Sequence, residues 1–177
     1  MSTGNAASRF TNSRSRNEAR PRRADRGAGG LKKAEKNKPF LSAEARAPLV
    51  LWAVACAERV LPYFEKKCPN DDRPRRALET GKAWVRGGVK FGEIRAASLS
   101  AHAAARETED PAARAAARAA GQAVATAHAG RHAGGAAWYA LKIVPDPEAE
   151  RAWQRRSLPK GLSSSQLAAA GFRDPDP

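Results

Sequence analysis

Two cysteines in 177 residues, Cys56 and Cys68, are too few for a disulfide framework. Cys56 lies in the apolar run LWAVACA and reads as a core residue. No stretch approaches the ~20 apolar residues that a bilayer-spanning helix needs. The basic N-terminus has no continuous apolar core behind it and so does not read as a secretory signal. The expectation is a cytoplasmic protein with no membrane partner. No segment alternates apolar and polar residues at period two, and no Asn-Gly marks a hairpin, so strands are not expected. The chain has no GxxxxGK[ST] phosphate loop and no GxSxG elbow. No motif calls for a catalytic residue or a cofactor.

Large apolar side chains are also scarce. Aromatic residues make up 6% of the chain, and alanine supplies 15 of the 30 residues from 101 to 130. Alanine removes little apolar surface from water, so a core must rest on a few anchors, each worth about 1.5–3 kcal/mol when fully buried. The expected anchors are Trp52, Val60, Tyr63, Phe64, Leu78, Trp84, Phe91, Ile94, Leu99, Trp138, Tyr139, Leu141 and Trp153.

What the chain has in excess is positive charge, a net +14. Residues 1–40 hold 11 Lys and Arg against 3 Asp and Glu, and the other 137 residues hold 21 against 15. The first segment is too polar to offset its chain entropy by burial and reads as a disordered basic tail. Such a tail is either a solvated arm or a tether to nucleic acid or a membrane surface, since basic arms attract phosphates without sequence specificity.

Helical signals fill residues 41–158. Leu49, Trp52, Ala53, Cys56, Val60 and Phe64 recur at three and four. Pro48 suits a first turn, whereas Pro62 requires a kink or a new helix. A second helix is expected from Arg73–Pro74 to Gly87–Gly88, with Asp71 or Asp72 as its cap. A third covers about residues 91–106. Asp110–Pro111 opens a fourth and Asp146–Pro147 a sixth, with a fifth around Trp138. The fold class is therefore all-α, a compact bundle of five to six helices. Residues 159–177 read as a flexible C-terminal tail. Nothing in the sequence sets an oligomeric state.

Two groups of residues carry possible chemistry. The stretch CPNDDRPRRALE concentrates opposite charges at a helix junction. Asp71 and Asp72 have a use as caps. Arg73, Arg75 and Arg76 do not, because cations are disfavoured at a helix N-terminus. The acids neutralise them, or they face a partner. The second group is His102, His128 and His132. His128 and His132 are four apart, a spacing that holds zinc in metalloproteases, but Ala129 stands where their catalytic glutamate would be. Neither cysteine is at a ligand spacing, so no metal is expected. These eight residues are the partner-binding candidates, and they would form one polar surface if the helix ends converge.

Three stretches together resemble a known family. LWAVACAERVLPYFEKKCPNDDRPRRALETGKAWVRG, SLSAHAAARE and AAGQAVATAHAGRHAGGAAWYALK are similar to bacterial immunity proteins of the immunity-five-like group in polymorphic toxin systems. The resemblance covers about residues 46–144 and falls on Trp52, Glu58, Arg59, Pro62, Asp71, Asp72, Arg73, Pro74, Trp84, His102, His128, His132 and Tyr139. It implies an all-helical cytoplasmic domain that binds and neutralises a cognate toxin without catalysis. The basic tail departs from the family pattern and leaves room for an added, nucleic-acid-associated function.

Overall fold

A computed structural model describes residues 42–172. Within them the chain is all-α. The helices are α1 (Ala43–Glu58), α2 (Leu61–Lys67), α3 (Arg73–Val85), α4 (Phe91–Glu107), α5 (Pro111–Ala125), α6 (His132–Leu141), α7 (Pro147–Arg156) and α8 (Ser164–Ala169). The expected basic tail at 1–40 lies outside the described residues. No single helix among those described is long and apolar enough to cross a membrane.

Local chemistry sets most boundaries. The Asp110 carboxylate accepts from the Ala113 N–H at 2.8 Å, and that of Asp146 accepts from the Ala149 N–H at 2.9 Å. Each precedes a proline in the first turn, as the sequence implied. Pro62 starts α2 rather than kinking α1. Gly87, with φ of 75°, ends the turn after α3 in a conformation that side chains avoid. Pro48 differs from expectation. α1 begins early enough to place it inside the helix. Its missing N–H leaves a carbonyl one turn back, at the exposed Glu44, free to meet water.

The alanine-rich α5 is the central helix. It packs against α1, α2, α3, α4 and α6. Ten of its 15 residues are buried, nearly all of them alanine or glycine. Small side chains let five neighbours approach one axis closely. The larger groups that fill the remaining space are Leu49, Val50, Val54, Val60, Phe64, Leu78, Ile94 and Val124.

Four expected anchors are not in the core, the half-buried Leu141 among them. Phe91, Leu99 and Trp138 are 61%, 57% and 51% exposed. α4 turns Ile94, Ser98, Ala101, Ala104 and Ala105 inward, so the stripe of Phe91, Arg95 and Leu99 faces outward. A further difference lies beyond Pro159. The stretch expected to be flexible forms α8 over Ser164–Ala169. The Gly134 N–H donates to the Ala170 carbonyl at 2.8 Å, Ala170 is fully buried, and the Phe172 ring lies 5.3 Å from that of Trp52. A run of small residues reads as polar and loose in sequence, yet it is what fits a groove this narrow.

Candidate functional site

The charged junction between α2 and α3 forms one cleft, of about 660 Å3. Asp71 takes the Arg73 backbone N–H at 3.1 Å and the Arg73 Nε at 2.8 Å on the same oxygen. The Arg73 guanidinium also reaches Glu107, at the end of α4, with its Nη1 at 3.1 Å from Oε1. Arg75 reaches away to Glu65 at 2.6 Å, Arg76 pairs with Asp72 at 2.9 Å, and Lys67 faces Asp110 at 3.5 Å. The Arg73 hydrogen bonds hold the carboxyls of Asp71 and Glu107 below the usual carboxylate range. Every arginine of the junction is thus matched inside the chain.

The cap differs from the expectation in one respect. Asp72 occupies the N-cap position of α3 but makes no side-chain cap bond. The first helical N–H goes to Asp71, while the Asp72 carboxylate is spent on Arg76. Asp72→Ala should therefore cost under about 0.5 kcal/mol, the worth of an exposed ion pair. Asp71→Ala should cost about 1–2 kcal/mol, because a charged bond and a backbone bond go together. Urea unfolding of the two variants checks the order.

The histidines gather in a second cleft, of about 460 Å3, between α4, the end of α5 and the start of α6. His102, on α4, lies with its ring against the bare backbone of Gly121 on α5. A Cβ at Gly121 would sit 2.6–2.8 Å from three ring atoms, so any other residue there would push the ring outward. The carbonyl of the same glycine accepts from the Ser98 hydroxyl at 3.0 Å. His132, opening α6, has Nδ1 at 2.6 Å from the Gln122 side-chain oxygen, an acceptor that puts the ring proton on Nδ1. The His128 and His132 rings meet edge to face at 5.1 Å, and Phe91 packs edge-on to His128 at 5.9 Å. Arg95 and Leu99 complete the rim.

Burial lowers the pKa of all three histidines, and neighbouring cations add to it. Arg118 and Arg106 act on His102. Arg131, Arg46 and Arg95 act on His128. His132, which also feels the other two rings, is held at about 4. The rings are therefore neutral at pH 7. In the unfolded chain they take up protons near pH 6.5, so between about pH 4 and 6.5 the unfolded state binds more protons. Stability should be complete above pH 6.5 and should fall as pH drops through that window. Allowing for solvent screening of these part-exposed rings, the loss should be on the order of 1 kcal/mol by pH 5. Carboxylates such as Asp71, Glu107 and Asp110, whose folded pKa values are lowered, add to the loss at the acid end of this window and below it, as pH falls under about 4.5. Thermal melts from pH 7.5 to 5 check the effect, and His132→Gln should flatten it.

The two clefts share no lining residue. α4 separates them by face: Ala104 and Glu107 line one cleft, and Phe91, Arg95, Ser98, Leu99 and His102 line the other, with His102 and Glu107 about 7.5 Å apart along the axis but turned away from each other round it. The single polar surface that converging helix ends would have made is thus two sites. Among the described residues no three or more His, Cys, Asp or Glu side chains are arranged to hold a metal ion.

A family model described as "Imm-5 like putative immunity protein" matches residues 40–161. The chain belongs to this immunity-protein family. The match runs from α1 through α7 and so includes both clefts, and it stops short of α8. No curated protein and no solved structure matches the chain at a significant level. Sequence reasoning missed the rim of the immunity domain's second cleft, namely Phe91, Arg95 and Leu99, and the supports Gly121 and Gln122. The one available signal was Gly121–Gln122 itself, which interrupts an otherwise alanine-dominated helix.

Proposed function

We propose that this immunity-family protein neutralises a cognate bacterial toxin in the cytoplasm by binding it, with no chemistry of its own. The observation that supports the reading is the family match across seven of the eight described helices. Charge argues about the mode. An inhibitor that masks the basic active site of a nuclease presents acidic surface. Residues 42–172 hold 20 Lys and Arg against 13 Asp and Glu. The acids of the junction, Asp71, Asp72, Glu107 and Asp110, are all tied to cations of the same chain. The face of the toxin that fits this domain is therefore acidic or apolar rather than basic. The test is co-expression with the product of a candidate toxin gene found beside this chain's gene. Rescue of growth supports the reading, and unrescued killing removes it.

The net +8 of residues 1–40 supports a second reading, a nucleic-acid-associated protein working through that segment. Its mark would be non-specific DNA affinity that falls steeply with salt and vanishes on deleting residues 1–40.

A further inference from the structure

The histidine cleft carries features that the fold itself does not use. Nδ1 of His102 and Nδ1 of His128 are buried without a hydrogen-bond partner among the described residues. Groups left in that state are costly, so a turn of the ring that brings them to a ligand oxygen in the cleft recovers the loss. Phe91 and Leu99 stand largely exposed at the rim, two of the four exposed large apolar residues of the described domain. The charges that act on the three rings come from several elements and share one sign. They are Arg46 of α1, Arg95 and Arg106 of α4, Arg118 of α5, and Arg131 just before α6. No carboxylate is among them. Arg95, Arg118 and Arg131 form no ion pair among the described residues, unlike the arginines of the junction cleft.

We propose that this cleft receives an acidic side chain of the toxin, a carboxylate flanked by an apolar residue. The inference rests on the toxin-binding reading above and names the surface and the chemistry of that contact. The carboxylate accepts from imidazole N–H groups, and Arg95 at the rim supplies the opposite charge. The flanking apolar side chain covers Phe91 and Leu99, which supply the desolvated contact that dominates binding energy. A carboxylate among the rings favours their protonated form, so binding takes up protons and tightens as pH falls. A nucleic-acid strand suits the cleft less well. Its phosphates form a continuous row and call for an open stripe of cations, whereas Arg95 alone of these cations lines the cleft, whose walls are largely apolar.

The experiment measures affinity of the full chain for a candidate toxin whose killing it rescues in the co-expression test. It compares wild type, Leu99→Asp, Arg95→Glu and, as a remote exposed control, Lys160→Glu. Leu99 and Arg95 are exposed, so melting temperatures should stay near that of the wild type. The inference expects Leu99→Asp and Arg95→Glu to weaken binding at least ~10-fold, the control to bind as wild type, and wild-type affinity to rise ~3-fold or more between pH 8 and 6. Should Leu99→Asp fold poorly, Arg95→Glu and Phe91→Ser decide. Wild-type binding that these variants leave unchanged would overturn the inference and keep the toxin-binding reading. Absence of wild-type binding would overturn both. If the variants instead lose affinity for a 20-base-pair DNA duplex while keeping the toxin, the cleft serves nucleic acid and the inference fails.

Discussion

Arg59→Ala should destabilise the domain by about 3–5 kcal/mol, a large share of the 5–15 kcal/mol that holds a typical domain together. Arg59 itself is part-exposed, but its partner is not. The Glu150 side chain is only 2% exposed, with Oε2 at 2.7 Å from the Arg59 Nε. The other carboxylate oxygen accepts from the Gln154 side-chain amide at 3.1 Å. That amide also reaches the Ala137 carbonyl at 3.2 Å, and the Gln154 backbone carbonyl takes the Trp52 indole N–H at 3.0 Å. The Arg59 guanidinium lies 4.2 Å over the Trp153 ring. One network thus ties α7 to α1 and α6. Truncating Arg59 leaves a buried carboxylate without its counter-charge. A double variant, Arg59→Met with Glu150→Leu, removes the charge at the same time and should recover most of the loss, because a packed apolar pair can replace a buried ion pair. Urea unfolding of both variants is the measurement. A single variant within about 1 kcal/mol of wild type would show that water replaces Arg59 without penalty.

Gly134→Ala should undock α8, at a cost near the upper end of the roughly 1–3 kcal/mol typical of overpacking. A Cβ on Gly134 would overlap the Gly171 carbonyl and lie 2.6 Å from the Gly171 carbonyl carbon. Those are backbone atoms, so no rotamer change relieves the clash. Gly171 cannot yield easily either, since it holds φ of 79° and its own Cβ position faces the Arg131 carbonyl at 2.6 Å. The expected readout is selective. Amides of residues 164–172 should exchange faster and proteases should cut near Gly161, while α1–α5 keep their protection. Loss of the Phe172 ring should also change Trp52 fluorescence. If α8 stays protected in Gly134→Ala, the close approach is not what seats it.

Features that depend on a few neighbouring residues were open to sequence reasoning. Asp110–Pro111 and Asp146–Pro147 cap and open helices because the carboxylate and the N–H it accepts from are three residues apart. Pro62 and Gly87 act through their own backbone angles. The absence of period-two runs pointed to helices alone, and the described residues are all helical or connecting. The motifs carrying the immunity-family resemblance sit within the matched span.

Other features were set by which face of a helix meets a neighbour, and an alanine-rich chain hides that choice. When most positions on α4 and α5 are alanine, periodicity does not say which stripe turns inward. Phe91 and Leu99 look like anchors by size, yet the smaller Ser98, Ala101 and Ala105 are what fit against α5. The same close packing leaves Phe91, Arg95 and Leu99 as a cleft rim and brings His102 onto Gly121 from 19 positions away. Composition and local spacing determined the all-α class, the helix starts and the family. Tertiary packing alone decided that the histidines and the charged junction occupy two clefts on different faces of α4, because residues close along a helix axis still point to different sides of it.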